Sequence, residues 1–133
     1  MVPIASVNLL AVVVAAAVVF VIGGAYWAVL APAFSRRLGQ PPEDARPTPV
    51  QLSIAFVTRV VIAYFLAVFA GWAAVKGIGG GAEIGFLAWL GLVLPLLIGQ
   101  AVFERKPWQT VVIALPETLT GYVVMGAIVG AWR

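Results

Sequence analysis

The sequence predicts an all-α polytopic membrane protein, an antiparallel bundle of four transmembrane helices forming one domain over residues 1–133. Three observations carry this reading. The chain is 63% apolar and only 10% charged, where soluble domains have about 45–50% apolar and about 25% charged residues. Its mean hydropathy is +1.09, more apolar surface than a soluble fold of this length can hide. Four stretches exceed the roughly 18 apolar residues that indicate a span, and most of the charge falls between them.

The first span is expected at residues 4–30 and contains no charge. "APA" at positions 31–33 resembles a signal-peptide cleavage site. No Lys or Arg precedes the run, however, and it exceeds twenty residues, so a retained span is expected rather than a removed leader. The connector over residues 31–49 includes "SRRLGQPPEDARPTP", whose four prolines predict an extended segment. Thr48 followed by Pro49 reads as a helix N-cap with proline at the first helical position.

The second span is expected at residues 50–75 with Arg59 as its one charge. The stretch "KGIGGGAE" then reads as a glycine-rich turn closing a helical hairpin. Its glycines lack the Lys-Ser/Thr ending of a phosphate-binding loop. The third span, residues 84–103, is uncharged but holds Pro95 and Gln100. The fourth, residues 108–132, carries Glu117 alone, and Pro107 stands at its start. Hydrocarbon cannot satisfy backbone polar groups, so all four are expected to be helical.

Orientation follows from the basic residues. Arg36, Arg37, Arg46, Arg105 and Lys106 lie on one side, Lys76 and Arg133 on the other. The richer side is expected to be cytoplasmic, which places both termini outside. Trp27 and Trp108 then fall near the inner boundary, Trp72 and Trp132 near the outer one. The net charge of +3 belongs to this pattern and not to a nucleic-acid groove.

Arg59 is nine residues past Val50, and Glu117 nine past Trp108. At 1.5 Å per residue both lie roughly 13 Å into parallel helices. An unpaired charge at mid-bilayer costs at least about 2.5–3.5 kcal/mol, so an Arg59–Glu117 contact is expected. Pro95, Pro116, Gly23 and Gly24 fall at a similar depth. The prolines are expected to free the carbonyls of Gly91 and Val112. With the hydroxyls of Thr58, Thr118 and Thr120, these groups form a candidate polar layer. Its role is open between a structural register lock and a proton, ion or small-molecule site, with Arg59 snorkelling alone as the third reading. Gly126 with Gly130, and Ala11 with Ala15, are small-xxx-small pairs expected to pack helices inside the bundle.

A family resemblance rests on three stretches. "GGAYWAVLAPAF" is similar to the aromatic-then-proline end of the first helix in a family of small bacterial membrane proteins catalogued as a domain of unknown function. "GLVLPLLIGQAVFERKPW" resembles its third helix and basic-Pro-Trp turn, and "MGAIVGAW" its glycine-rich last helix. The matching positions are Tyr26, Trp27, Pro32, Phe34, Pro95, Phe103, Glu104, Arg105, Pro107, Trp108, Gly126, Gly130 and Trp132. The resemblance implies four helices, a bacterial inner membrane and no established activity. A neutral polar residue stands more often near the start of "LPETLTGY" in that family, and Glu117 departs from this.

Histidine and cysteine are both absent, which removes imidazole and thiolate chemistry. No cofactor motif is present, and no enzyme, cofactor or metal site is expected. The expected surroundings are the lipid bilayer and, as partner, a second copy or a larger membrane complex, with no nucleic acid. Two functions remain: a structural or accessory protein, or a small oligomeric proton- or cation-coupled transporter using Glu117. Drug exporters of four helices place their acid in the first helix, which here has none.

Overall fold

The computed structural model describes residues 7–39, 48–105 and 107–132. Arg46, Lys106 and Arg133 from the orientation count, residues 40–47 of the 31–49 connector, and the side chain of Phe34 lie outside what is described. Among the described residues the chain is helical without strands. Four helical rods are long and apolar enough to cross a membrane: Leu9–Leu30, Pro49–Trp72, Gly77–Phe103 and Trp108–Ala131.

The first rod opens at Asn8, whose side chain accepts from the amides of Leu10 (3.1 Å) and Ala11 (3.2 Å). This N-cap satisfies donors that the first turn cannot pair internally. Asn8 also donates to the Trp132 carbonyl at 3.2 Å, tying the first rod's start to the last rod's end. Helix α1 (Leu9–Ala25) passes into a wide π-turn at Tyr26–Leu30 and continues as α2 (Ala31–Arg37). Residues 31–37 are therefore helical and not part of an extended connector, which corrects the sequence expectation.

Helix α3 (Pro49–Trp72) begins with the capping box that Thr48-Pro49 suggested. Thr48 Oγ1 accepts from the Gln51 amide at 3.1 Å, and the Gln51 side chain accepts from the Thr48 amide at 3.0 Å. The turn that follows is made by residues 73–76 and not by the glycines. Ala74 takes a left-handed φ of 54° and Gly77 a φ of 92°. Helix α4 (Gly77–Ala88) starts there, so "GIGGGAE" is the first part of a helix and Glu83 lies within it. Local glycine content argued for a turn, and tertiary packing overrides it. After a second π-turn at Trp89–Val93, α5 (Leu94–Phe103) completes the rod. Arg105, with φ of 54°, helps turn the chain into α6 (Trp108–Ala131).

The packing explains the glycines. A Cβ on Gly81 would lie 2.9 Å from the Gly130 Cα, and one on Gly130 would lie 2.6 Å from the Gly81 Cα and 2.7 Å from the Gly77 carbonyl. Only hydrogen at these positions lets two backbones touch. Gly81 and Gly85 on α4 thus interlock with Gly126 and Gly130 on α6, and this seam is the closest contact between helices. The neighbouring stripe of α6 (Gly121, Met125, Val129) faces α1 and α3. It joins Val12, Ala15, Val19, Ala63 and Leu66 in the main core. Ala11 and Ala15 are buried on the inward face of α1.

The two π-turns share a design. Each spans five residues, opens on a buried aromatic, Tyr26 or Trp89, and ends two residues before a proline, Pro32 or Pro95. A proline ring clashes with the carbonyl four residues back and supplies no amide hydrogen. A wider turn relieves both problems, because bonds there run to the fifth residue back. The Leu94 amide does this, donating to the Trp89 carbonyl. The aromatic side chains are then fastened to α6 on opposite sides of Pro116. The Tyr26 hydroxyl donates to the Ile113 carbonyl, and Trp89 Nε1 donates to Thr118 Oγ1 at 3.0 Å.

Candidate functional site: an ion pair and groove at the proline of the last helix

Arg59 from the middle of α3 meets Glu117 of α6 at 3.0 Å between Nη2 and Oε1. Arg59 Nη1 also donates to the Ala55 carbonyl one turn back, at 3.2 Å. The two side chains are 21% and 10% exposed, so the pair is shielded mostly by protein. Arg59 Nε is buried without a hydrogen-bond partner. Shielded in this way neither charge is cheap alone, and each offsets the other's desolvation.

Gly23 of α1 makes room for this pair. A Cβ there would sit 2.9 Å from Glu117 Oε1 and 3.0 Å from Arg59 Nη2. The ion pair therefore lies directly under the α1 backbone, and three helices converge on it. Gly24 points the other way, with nothing within 4 Å of a Cβ built on it.

The remaining polar-layer candidates divide. Thr118 accepts the Trp89 indole N–H, while its own hydroxyl donates back to the Ala114 carbonyl at 2.9 Å, with the Leu115 carbonyl 3.1 Å away. It fastens the second π-turn and is not bonded to the ion pair. Thr58 is exposed, and its hydroxyl donates to the Ile54 carbonyl at 2.7 Å. Back-bonding of that kind is what an isolated hydroxyl does on an apolar face. Pro95 is exposed on the third rod; its role is local, behind the π-turn. The single layer expected from depth is therefore smaller than equal depth suggested. Depth fixes height along a helix but leaves the angle around it open, and Thr58, Gly24 and Pro95 face outward.

Pro116, Glu117 and Thr120 instead form one wall of a half-open groove of about 590 Å³. The opposite wall is Ile22, Ala25, Val29 and Leu30 of the first rod, with Tyr26 beside them. Pro116 sits inside α6, and a proline there leaves the Val112 carbonyl without its usual donor. The next carbonyl, that of Ile113, is the one the Tyr26 hydroxyl reaches. The groove thus lies where a wide turn faces a proline break, two irregular segments that do not close on each other. Glu117 belongs both to the ion pair and to the groove wall.

Sequence reasoning missed Gly81, Gly85, Trp89 and the hydroxyl role of Tyr26. One signal was available for the aromatics: Tyr26 precedes Pro32 and Trp89 precedes Pro95 by the same six positions. Among the described residues no group of His, Cys, Asp or Glu is arranged to hold a metal.

Comparison with known proteins returns one result. No curated protein and no solved structure matches the chain. The family described as "Protein of unknown function (DUF1761)" matches residues 10–130, a stretch that contains the first two motifs behind the family resemblance and all of the third but its last two residues, and the chain belongs to that family.

Proposed function

We propose that this chain is a non-catalytic integral membrane protein of the bacterial inner membrane, a structural or accessory four-helix unit held together by its buried Arg59–Glu117 pair. The observation that carries the reading is the closure of the pair at 3.0 Å beneath Gly23. A carboxylate already matched by a guanidinium serves helix register before it serves chemistry. The absence of His and Cys from the sequence supports a non-catalytic role. Partners in this reading are lipid and either a second copy or a larger membrane complex. Both termini lie outside, as the basic-residue count directs. Cysteines placed at Arg37 and Lys76 test this, since only one should react with an impermeant reagent added to intact cells.

The function is tested by a double-mutant cycle on thermal stability in detergent. Arg59→Ala leaves a buried carboxylate unmatched and should destabilise by about 3–5 kcal/mol. Adding Glu117→Gln should restore much of the loss. If single and double variants melt with the parent, the pair is not a lock.

A second reading, a small proton- or cation-coupled carrier, is favoured by one observation: Glu117 lines the groove. Glu117→Gln would then abolish flux in reconstituted vesicles, and unchanged flux would end that reading.

A further inference from the structure

We propose that the groove between the first rod and α6 is a binding site for a neutral, largely apolar membrane molecule bearing a hydroxyl, such as a long-chain alcohol. The inference rests on the membrane placement proposed above. It goes beyond the structural role of the ion pair.

Size and lining come first. A volume of about 590 Å³ falls within the roughly 300–1,000 Å³ of small-molecule sites, which are mostly apolar with a few convergent polar groups. Here the apolar part is Ile22, Ala25 and Val29, a stripe on one face of the first rod. The polar part is Glu117 with Thr120, three residues apart on α6 and so on the same side of the helix. The groove is half open, and Val29 and Leu30 at its edge are exposed. That edge lies on a rod apolar enough to be surrounded by lipid, so the ligand enters sideways from the bilayer.

Charge then selects the headgroup. The Arg59–Glu117 pair sums to zero. An ammonium bound at Glu117 would leave a net positive charge in a poorly solvated place, and an anion would face the carboxylate. Either costs several kcal/mol in such a medium. A hydroxyl adds no charge. It can donate to the Glu117 carboxylate and accept from Thr120, using a charge-assisted hydrogen bond without breaking the salt bridge.

The test uses the intact protein in nanodiscs of zwitterionic phospholipid, photolabelled with a diazirine-bearing long-chain alcohol. The matched alkane and the matched primary amine are labelled in parallel. The alcohol should label residues 22–30 and 116–120 about tenfold more than the alkane, the ratio one charge-assisted hydrogen bond supports. Ala25→Trp, which fills the groove, should abolish that labelling. Thr120→Val should reduce the alcohol-to-alkane ratio while leaving the alkane unchanged, and it carries the test if Ala25→Trp does not fold. Equal labelling by alcohol and alkane would overturn the proposal, as would an amine that labels more strongly than the alcohol. Failure of the protein to enter the disc at all would overturn the membrane placement, and the proposal with it.

Discussion

Replacing Gly81 by alanine tests the α4–α6 seam most directly, because the obstacle there is backbone. The added methyl would lie 2.9 Å from the Gly130 Cα and 3.0 Å from the Gly126 carbonyl carbon. Carbon atoms pack at about 3.5–4.0 Å, so the helices must separate by at least about 0.6 Å. A gap of that size forfeits roughly a quarter to a half of each contact's attraction along the seam. Overpacking costs about 1–3 kcal/mol, and with no flexible side chain to yield, the upper end applies. Alanine's better helix propensity offsets about 1 kcal/mol of this, which leaves a net loss of about 2 kcal/mol. Gly79, two residues earlier, is the internal control. A Cβ there meets nothing within 4 Å, so Gly79→Ala should stabilise by about 0.5–1 kcal/mol. Reversible unfolding in mixed micelles, titrated with a denaturing detergent, reads both variants on one scale. Opposite signs are expected. A Gly81→Ala protein as stable as the parent would refute the interlocked seam.

Four other substitutions probe separate features. Gly23→Ala places its methyl against the ends of two side chains, which can shift, so the fold should survive. The Arg59–Glu117 coupling energy should fall by at least half in a double-mutant cycle repeated on that background. Tyr26→Phe and Trp89→Phe each remove one hydrogen bond to α6 and should each lose about 1 kcal/mol in the same unfolding titration. Equal melting of either variant and the parent would mean that the wide turns are not fastened through these atoms. Ala74 holds a left-handed φ of 54°, a conformation that disfavours a Cβ by about 1–2 kcal/mol, so Ala74→Gly should raise stability.

How much could be read in advance depended on which coordinate of each residue mattered. Height was legible. Arg59 and Glu117, placed by counting from helix starts, meet in the structure because both also face inward. Angle is not legible for isolated residues, so equal depth groups Thr58, Gly24 and Pro95 with a cluster they turn away from. The glycine-rich stretch over residues 77–81 favours a turn on local propensity alone. Its helical state depends on Gly126 and Gly130, which lie far along the chain and supply the surface that makes a glycine-rich helix worth forming. The wide turns interrupt helical periodicity without interrupting helical composition, and neither hydropathy nor proline position distinguishes them from ordinary kinks. Paired aromatic-to-proline spacings do, once both copies are compared.

Those wide turns also bear on how related chains should be aligned. Each contains one residue more than an α-helix of the same rise requires, and that residue rotates everything after it by about 100°. In the third rod the inward stripe runs through Gly81, Gly85 and Trp89, then resumes at Leu94 and Leu97 in place of the outward-facing Leu92 and Leu96. A relative that lost one residue between 89 and 93 would keep a rod long enough to cross a membrane but present a different face. The proline that follows would then sit in a regular helix, as Pro116 does in α6. Gaps of a single position should therefore cluster at residues 26–30 and 89–93. At those two places a gap records a change in helix geometry, where elsewhere in the chain it would record a change in loop length.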